Sequence, residues 1–585
     1  MTISANYPTI RPTLLLDFAN TEQLDPRITF SRPTTGTYYD GKTVALAEQN
    51  LVLQSQNFGT TWTASRLSVT VNSVTAPNGT TTASTLTEDS SASTNHRVFQ
   101  SITYTTGTPY TFSVYAKANT RSQIFIRTGA MTDDTAGVLF DLSAVTATNV
   151  GTGATSSSIT AVGSGWYRCV LTYSPTVAGS LFYIGLASGA NPIYTGDGTS
   201  NLYVWGAQLE QRSSVTAYTA TTTAPITNYV PVLLSAPANV ARFEHNPVTG
   251  ESLGLEIEEQ RTNLAVRSSE LTNASWSKSN STIDGNVTIA PDGTQTVQLF
   301  NATTSAASCF QQISLGAGDY SMSVYVKRGN VSTVALGIVN VLDAITYNFD
   351  TGAVGGLSAG QTRVTSVGNG WVRIEFWRNC SAGTFGPSIK IGTAGGTVFV
   401  WGVQFELGQF ATSYIPTTVS QVTRSADSAS MTGTNFSSWY RADEGTVYSE
   451  ASCYAPTVGA RGIASFDNGA GSSANEIDIR FQSQTAFLIN YAGAGQATLF
   501  SGLSTSANVF SKAVGTYKTN DVAFSGNANT VQTDTSATIP NVLARLTIGN
   551  LFNDTTNYSL NGTIKKFAYY PKRLTNAELQ GLTTV

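Results

Sequence analysis

The chain has 585 residues, 12% of them charged, with 32 basic against 36 acidic side chains and a formal net charge of −4. No run of Lys or Arg occurs, which argues against the concentrated basic face that nucleic acid or an anionic membrane needs. Hydrophobic residues at 41% and aromatics at 10% are enough to fill cores, so the abundance of Thr, Ser, Gly and Asn points to short strands joined by many turns and not to disorder.

At about 150 residues per domain the length predicts roughly four units. With two histidines, His96 and His245, a His-based metal site or a Ser-His-Asp triad has little to draw on. The four cysteines, Cys169, Cys309, Cys380 and Cys453, have neither metal-ligand nor redox spacing and predict no disulfide framework. The expectation is a non-enzymatic protein without a metal or cofactor. The opening MTISANYPTIRPTLLLDF lacks the basic segment and long apolar core of a secretory signal. No stretch reaches the roughly 18 apolar residues of a membrane span, so a soluble protein made in the cytosol is expected.

Residues 1–49 read as an N-terminal anchoring or docking segment, rich in turns at RPTTG and DG. From residue 50 an internal repeat begins. Asn50-Leu51 followed by Trp62 matches Asn263-Leu264 followed by Trp276, and YTFSVYAK (110–117) matches YSMSVYVK (320–327). Phe140-Asp141 then matches Phe349-Asp350, GWYR (165–168) matches GWVR (370–373), and VWGAQLE (204–210) matches VWGVQFE (400–406). The matches keep their order while the spacing shrinks, as when loops shorten and strands persist. Two homologous modules, 50–225 and 263–425, are therefore predicted, joined by a linker over 226–262.

Within YTFSVYAK, Tyr110, Phe112, Val114 and Ala116 alternate with Thr111, Ser113, Tyr115 and Lys117, the period-2 pattern of a half-buried antiparallel strand. The same alternation places Tyr203, Trp205, Ala207 and Leu209 on one core face, with Phe399, Trp401, Val403 and Phe405 as counterparts. Trp62 and Trp276 are read as plugs at the sandwich ends. Trp166 with Arg168, and Trp371 with Arg373, fall opposite the core candidates Cys169, Leu171, Ile374 and Phe376. Such a Trp beside an Arg serves as a structural cation–π pair, a subunit contact or a sugar platform.

Asp134 with Asp141, and Asp343 with Asp350, recur at matching positions. Paired carboxylates suit a glycosidase or a calcium site, but their place at strand ends favours turn formation. The last segment, 436–585, carries the adjacent aromatics Trp439-Tyr440 and Tyr569-Tyr570. In a strand one ring of each pair must turn away from the core, towards a surface contact or a neighbouring chain. Thr575 and Glu578 have capping-box spacing before a short final helix. The fold class expected is all-β: tandem antiparallel β-sandwiches of jelly-roll type, two homologous copies, and a third sandwich ending in one short helix.

On these residues the chain resembles known proteins. LLLDFAN (14–20), ITFSRPTTGTYYDG (28–41) and ARFEHNPVTGESLGLEIEEQRTNL (241–264) resemble virion proteins of tailed bacteriophages. The VWGAQLE and VWGVQFELGQFATSYIPTT strings resemble carbohydrate-binding-module-like jelly rolls, and LNGTIKKFAYYPKRLTNAELQGL (560–582) resembles the close of a laminin-G or concanavalin-like domain. The resemblance implies a virion structural protein in a tail fibre, head fibre or baseplate appendage. It would bind other virion proteins through its N-terminal segment, form a homotrimer and bind a host-surface glycan. The glycan-facing candidates are Trp439, Tyr440, Trp166, Arg168, Trp371 and Arg373. A capsid-decorating or spacer protein without a receptor, and a polysaccharide depolymerase, are the alternatives.

Overall fold

The computed structural model describes residues 7–128, 136–150, 153–175, 181–189, 191–341, 345–357 and 361–584, which form antiparallel β-sandwiches throughout. The chain divides into two compact units, one made of residues 46–229 with 287–289 and the other of the remainder.

The first unit is a sandwich of two six-stranded sheets. In one, Tyr110–Lys117 is central, paired with Trp166–Tyr173 on one side and Asn201–Glu210 on the other. Tyr110, Phe112, Val114 and Ala116 fill the interior with Cys169, Leu171, Ile124, Ile126, Phe182 and Ile184, as the alternation requires. Trp62 closes this core, packed against Phe58 and Phe182, with Nε1 donating to Gln54 O at 3.2 Å.

The second unit holds another sandwich with the same strand order. Gly318–Arg328 lies between Trp371–Cys380 and Thr397–Leu407, and Tyr320, Met322, Val324 and Val326 face inward. Trp276 takes the place of Trp62, its Nε1 donating to Arg267 O at 3.0 Å. The sequence repeat is thus a repeat of sheets, register and core.

The expected face of the Trp205 strand is corrected in part. Val204, Ala207 and Leu209 point into the core, whereas Trp205 lies on the other side with Trp166. The cause is a register shift between Trp205 and Gln208, where Gly206 has φ +62°. An extra residue at a bulge reverses the phase of a period-2 pattern. Gly402 does the same after Trp401, again at φ +62°, leaving Val400, Val403 and Phe405 in the core.

The second unit also contains the terminal sandwich, in which segments expected to be an anchor and a linker are structural strands. Leu14–Leu16 pairs with Gly562–Tyr570, and so does Ser252–Ile257, while Thr29–Ser31 pairs with Ser428–Thr432. Leu14, Leu16, Phe18, Leu255 and Ile257 are buried in the same core as Phe466, Phe487 and Tyr569. The final helix, Asn576–Thr583, opens with the expected capping box: Thr575 Oγ1 accepts from Glu578 N, and the Glu578 carboxylate accepts from Thr575 N. Its Leu579 and Leu582 cover Tyr570.

Between these parts of the second unit runs a buried ionic cluster. Arg32, Arg242 and Arg424 are all wholly buried with Glu258 and Asp427. Arg242 contacts Asp427, Glu258 and Glu256, Arg32 contacts Asp427, and Arg424 contacts Glu258. Ser413 adds two hydrogen bonds to Glu258, from N at 2.8 Å and Oγ at 2.6 Å. Charges removed from water are tolerable only when paired this completely.

Candidate functional site

The aromatic candidates are closed over by their own chain. Trp166 is 1% exposed, packed with Ala76, Ala83 and Trp205, and its Nε1 donates to Thr75 O at 3.2 Å. Trp371 is equally buried. Neither Arg stacks on its neighbouring Trp: Arg168 lies 5.3 Å over the Tyr115 ring and Arg373 5.5 Å over Tyr325. Arg168 also donates to Thr216 O and Ser113 Oγ, and Arg373 to Thr412 O and Ser323 Oγ, so each copy makes the same structural clamp.

Trp439 and Tyr440 are corrected as outward-facing rings. They follow the helical turn Thr434–Ser437 and do not lie in a strand, so both can turn to the same side, against Phe436, Phe466 and Tyr569. Tyr569 is in the core and Tyr570 lies under the final helix.

Asp141 is a turn residue, its Oδ1 accepting from Ser143 N and Ala144 N, and these bonds together with that of the Ser143 hydroxyl hold its pKa down at about 2. Asp350 is ion-paired with Arg328. Asp134 and Asp343 lie outside the described residues. Among those described, no group of three or more His, Cys, Asp or Glu is placed to hold a metal ion.

Of the six glycan candidates, Arg373 lines a cavity of about 610 Å³ in the second unit. This lies within the roughly 300–1,000 Å³ typical of small-ligand sites. Four stretches remote in sequence build it: Thr37 and Tyr39 near the N-terminus, Glu244 to Glu256 in the expected linker, the outer face of the second module's sheet, and loops of the terminal sandwich.

The walls are held by polar contacts. Arg363 donates from Nε to Glu375 Oε2 and from Nη1 to Asn508 Oδ1, both at 2.8 Å, and lies 4.9 Å over the Tyr454 ring. Tyr454 Oη donates to Glu256 Oε1 at 2.8 Å, and Arg242 Nη1 lies 2.9 Å from the other oxygen of Glu256. His245 has acceptors on both ring nitrogens, Phe243 O and Tyr39 O at Nδ1 and Glu22 Oε1 at Nε2.

Glu244 differs from the other wall acids. Its Oε1 accepts the backbone N–H groups of Tyr39 at 3.0 Å and His245 at 3.1 Å, while Oε2 accepts no hydrogen bond among the described residues, and Glu244 lines the cavity. Burial, and then the nearby Glu256 carboxylate, push its pKa well above the ordinary range. Burial likewise raises Tyr39, Tyr325 and Tyr454, so all three phenols stay neutral at physiological pH.

The sequence reading passed over Tyr39, Glu244, Glu256, Arg363 and Tyr454. One signal was there: in LGLEIEE, Glu256 and Glu258 alternate with Leu255 and Ile257, so one face of that strand is core and the other a row of acids that must find cations.

No protein-family model matches the chain, and no curated protein matches it in sequence. Among solved structures it is similar to a single-residue mutant of NanB sialidase from Streptococcus pneumoniae, with TM-score 0.23 and 16% identity over 27% of this chain and 26% of that one. The chain thus spans about a quarter of that sialidase's length. It is also similar to the CBM22-1–CBM22-2 tandem domain of Paenibacillus barcinonensis Xyn10C, with TM-score 0.18 and 12% identity over 63% of this chain and 100% of that one. A third likeness is to Trypanosoma rangeli sialidase, with TM-score 0.21 and 9% identity over 94% and 98% of the two chains.

Proposed function

We propose that this chain is a structural and adhesion subunit of a bacteriophage appendage, a homotrimer that holds a host-surface glycan in the cavity beside the second module. The observation that carries the glycan part is the lining itself: the half-buried rings of Tyr454 and Phe510 reach the same cavity as Glu244, Arg363 and Asn508. Rings stack on the apolar faces of pyranoses, and fixed polar groups read their hydroxyls. The virion assignment rests on the sequence resemblance of residues 14–41 and 241–264, and the structural role on two modules closed around their own Trp and Arg residues.

A depolymerase is the second reading, favoured by two acids, Glu244 and Glu256, on the same wall. Against it, Glu256 is already engaged by Arg242 and Tyr454.

A glycan array probed with the full chain and with Arg363→Ala tests the binding reading. Retention of bacterial surface glycans by the wild type, with a loss of about tenfold or more in the variant, is expected, the size of about one lost charged hydrogen bond. Failure of the wild type to retain any glycan overturns it. Light scattering of the chain in solution tests the trimer, and release of reducing ends from a retained polysaccharide would turn the reading to the enzyme.

A further inference from the structure

Which sugars the cavity admits is decided by its wall charges, and the following inference rests on the glycan reading above. Three acids line it, Glu244, Glu256 and Glu375. Glu375 is shared by Arg363 and Arg373, and Glu256 pairs with Arg242. Arg242 is further committed to Glu258 and Asp427. Each lining arginine is engaged by its own chain, Arg363 by Glu375 and Asn508 and Arg373 by Glu375, Ser323 and Thr412, and no cation forms an ion pair with Glu244 among the described residues.

The groups facing Glu244 come from every wall. Glu256 and Arg242 belong to its own stretch, Tyr38 and Tyr39 to the N-terminal strand, Tyr325 to the second module and Tyr454 to the terminal sandwich. The nearest full charges are therefore an acid and an arginine already shared among three carboxylates, and the rest are phenols. A carboxylate held there without its own counter-ion costs more than a carboxylic acid.

We propose that Glu244 reads its ligand as an uncharged carboxylic acid, donating one hydrogen bond from Oε2 to an oxygen of a neutral sugar, so that the cavity selects uncharged glycans and releases them when Glu244 ionises. Oε1 keeps its two backbone N–H bonds throughout, which leaves the proton to Oε2. Ionisation removes the donor and places a second negative charge beside Glu256. An amine-bearing sugar would follow the opposite trend, since an ammonium group gains from the carboxylate.

The test is calorimetric titration of the full chain at about pH 5, 7 and 9 with a neutral oligosaccharide and with its glucosamine- and glucuronate-containing analogues. Glu244→Gln, which keeps an acceptor and a donor but cannot ionise, is titrated beside it. The expected result is preference for the neutral sugar at pH 5, affinity for it that falls as pH rises towards 9, and near-constant affinity in Glu244→Gln. The wild-type pH trend decides the matter even if the variant folds poorly. Affinity for the neutral sugar that is flat or rising with pH, or preference for either charged analogue at pH 5, overturns this inference while leaving glycan binding in place. Absence of binding to all three sugars at every pH overturns the glycan reading and this inference together.

Discussion

Arg242 Nη2 lies 2.6 Å from Asp427 Oδ2, and both side chains are wholly buried. The same carboxylate takes Arg32 Nη1 at 3.0 Å on its other oxygen and the backbone N–H of Glu258 at 3.0 Å. One acid thus joins the N-terminal segment, the stretch before the second module and the stretch after it. Asp427→Ala would leave two buried guanidinium groups short of a partner. A loss of about 3–5 kcal/mol is expected, read as a shift of the denaturant midpoint. A variant within about 1 kcal/mol of wild type would show that water or the remaining acids take over Asp427's role.

Gly206 and Gly402 carry the second prediction. Each sits at φ +62° after a Trp, and a Cβ there would lie 3.0 Å from Cδ2 of Tyr115 or Tyr325. The left-handed backbone alone costs an L-residue about 1–2 kcal/mol, and the rings leave little room for relief. Gly206→Ala and Gly402→Ala should each destabilise by at least that amount in urea melts, with similar values for the two because the two bulges are copies. A neutral result at both positions would mean that the bulge can slide.

The same bulge shows where the sequence stops being legible. Alternation in Tyr110–Lys117 and Trp166–Tyr173 located the cores correctly because the two strands pair with each other without interruption and neither carries the inserted residue itself. It misplaced Trp205, since an inserted residue reverses the phase and nothing in a two-letter hydrophobic pattern marks the insertion except the glycine itself. The partnership of Leu14–Leu16 with Gly562–Tyr570 joins the two ends of the chain, and no local pattern records so distant a pairing. The cavity is hidden for the same reason: Tyr39, Glu244, Arg363 and Tyr454 are unremarkable in their own stretches and acquire meaning only when four segments meet. Local chemistry was readable throughout, as the Thr575 and Glu578 capping box shows.

The four cysteines give a third expectation. All are free and buried, and burial raises the pKa of each thiol, that of Cys453 to about 12. Little reactive thiolate forms near neutral pH and reagents have no access. A thiol-specific reagent should label none of them over hours in native buffer and all of them in denaturant. Rapid native labelling of any one would reveal local opening of its sandwich.

Stability should also depend on Glu244. Its folded-state pKa is raised above the unfolded value, so the native state holds a proton that the unfolded chain releases. The native form is therefore favoured at low pH, and this contribution fades as pH rises above the ordinary Glu value of 4.5 towards the raised one. Glu476, pushed up to about 8 by burial and Asp478, acts in the same direction, so the wild-type profile alone mixes the two. The difference between wild type and Glu244→Gln isolates one of them. In urea melts the variant should gain on the wild type steadily from about pH 5 to pH 8, with the gap smallest at the acid end. A gap that stays constant across that range would mean that Glu244 is already ionised in the folded chain, and that a counter-charge reaches it which the wall arginines do not supply.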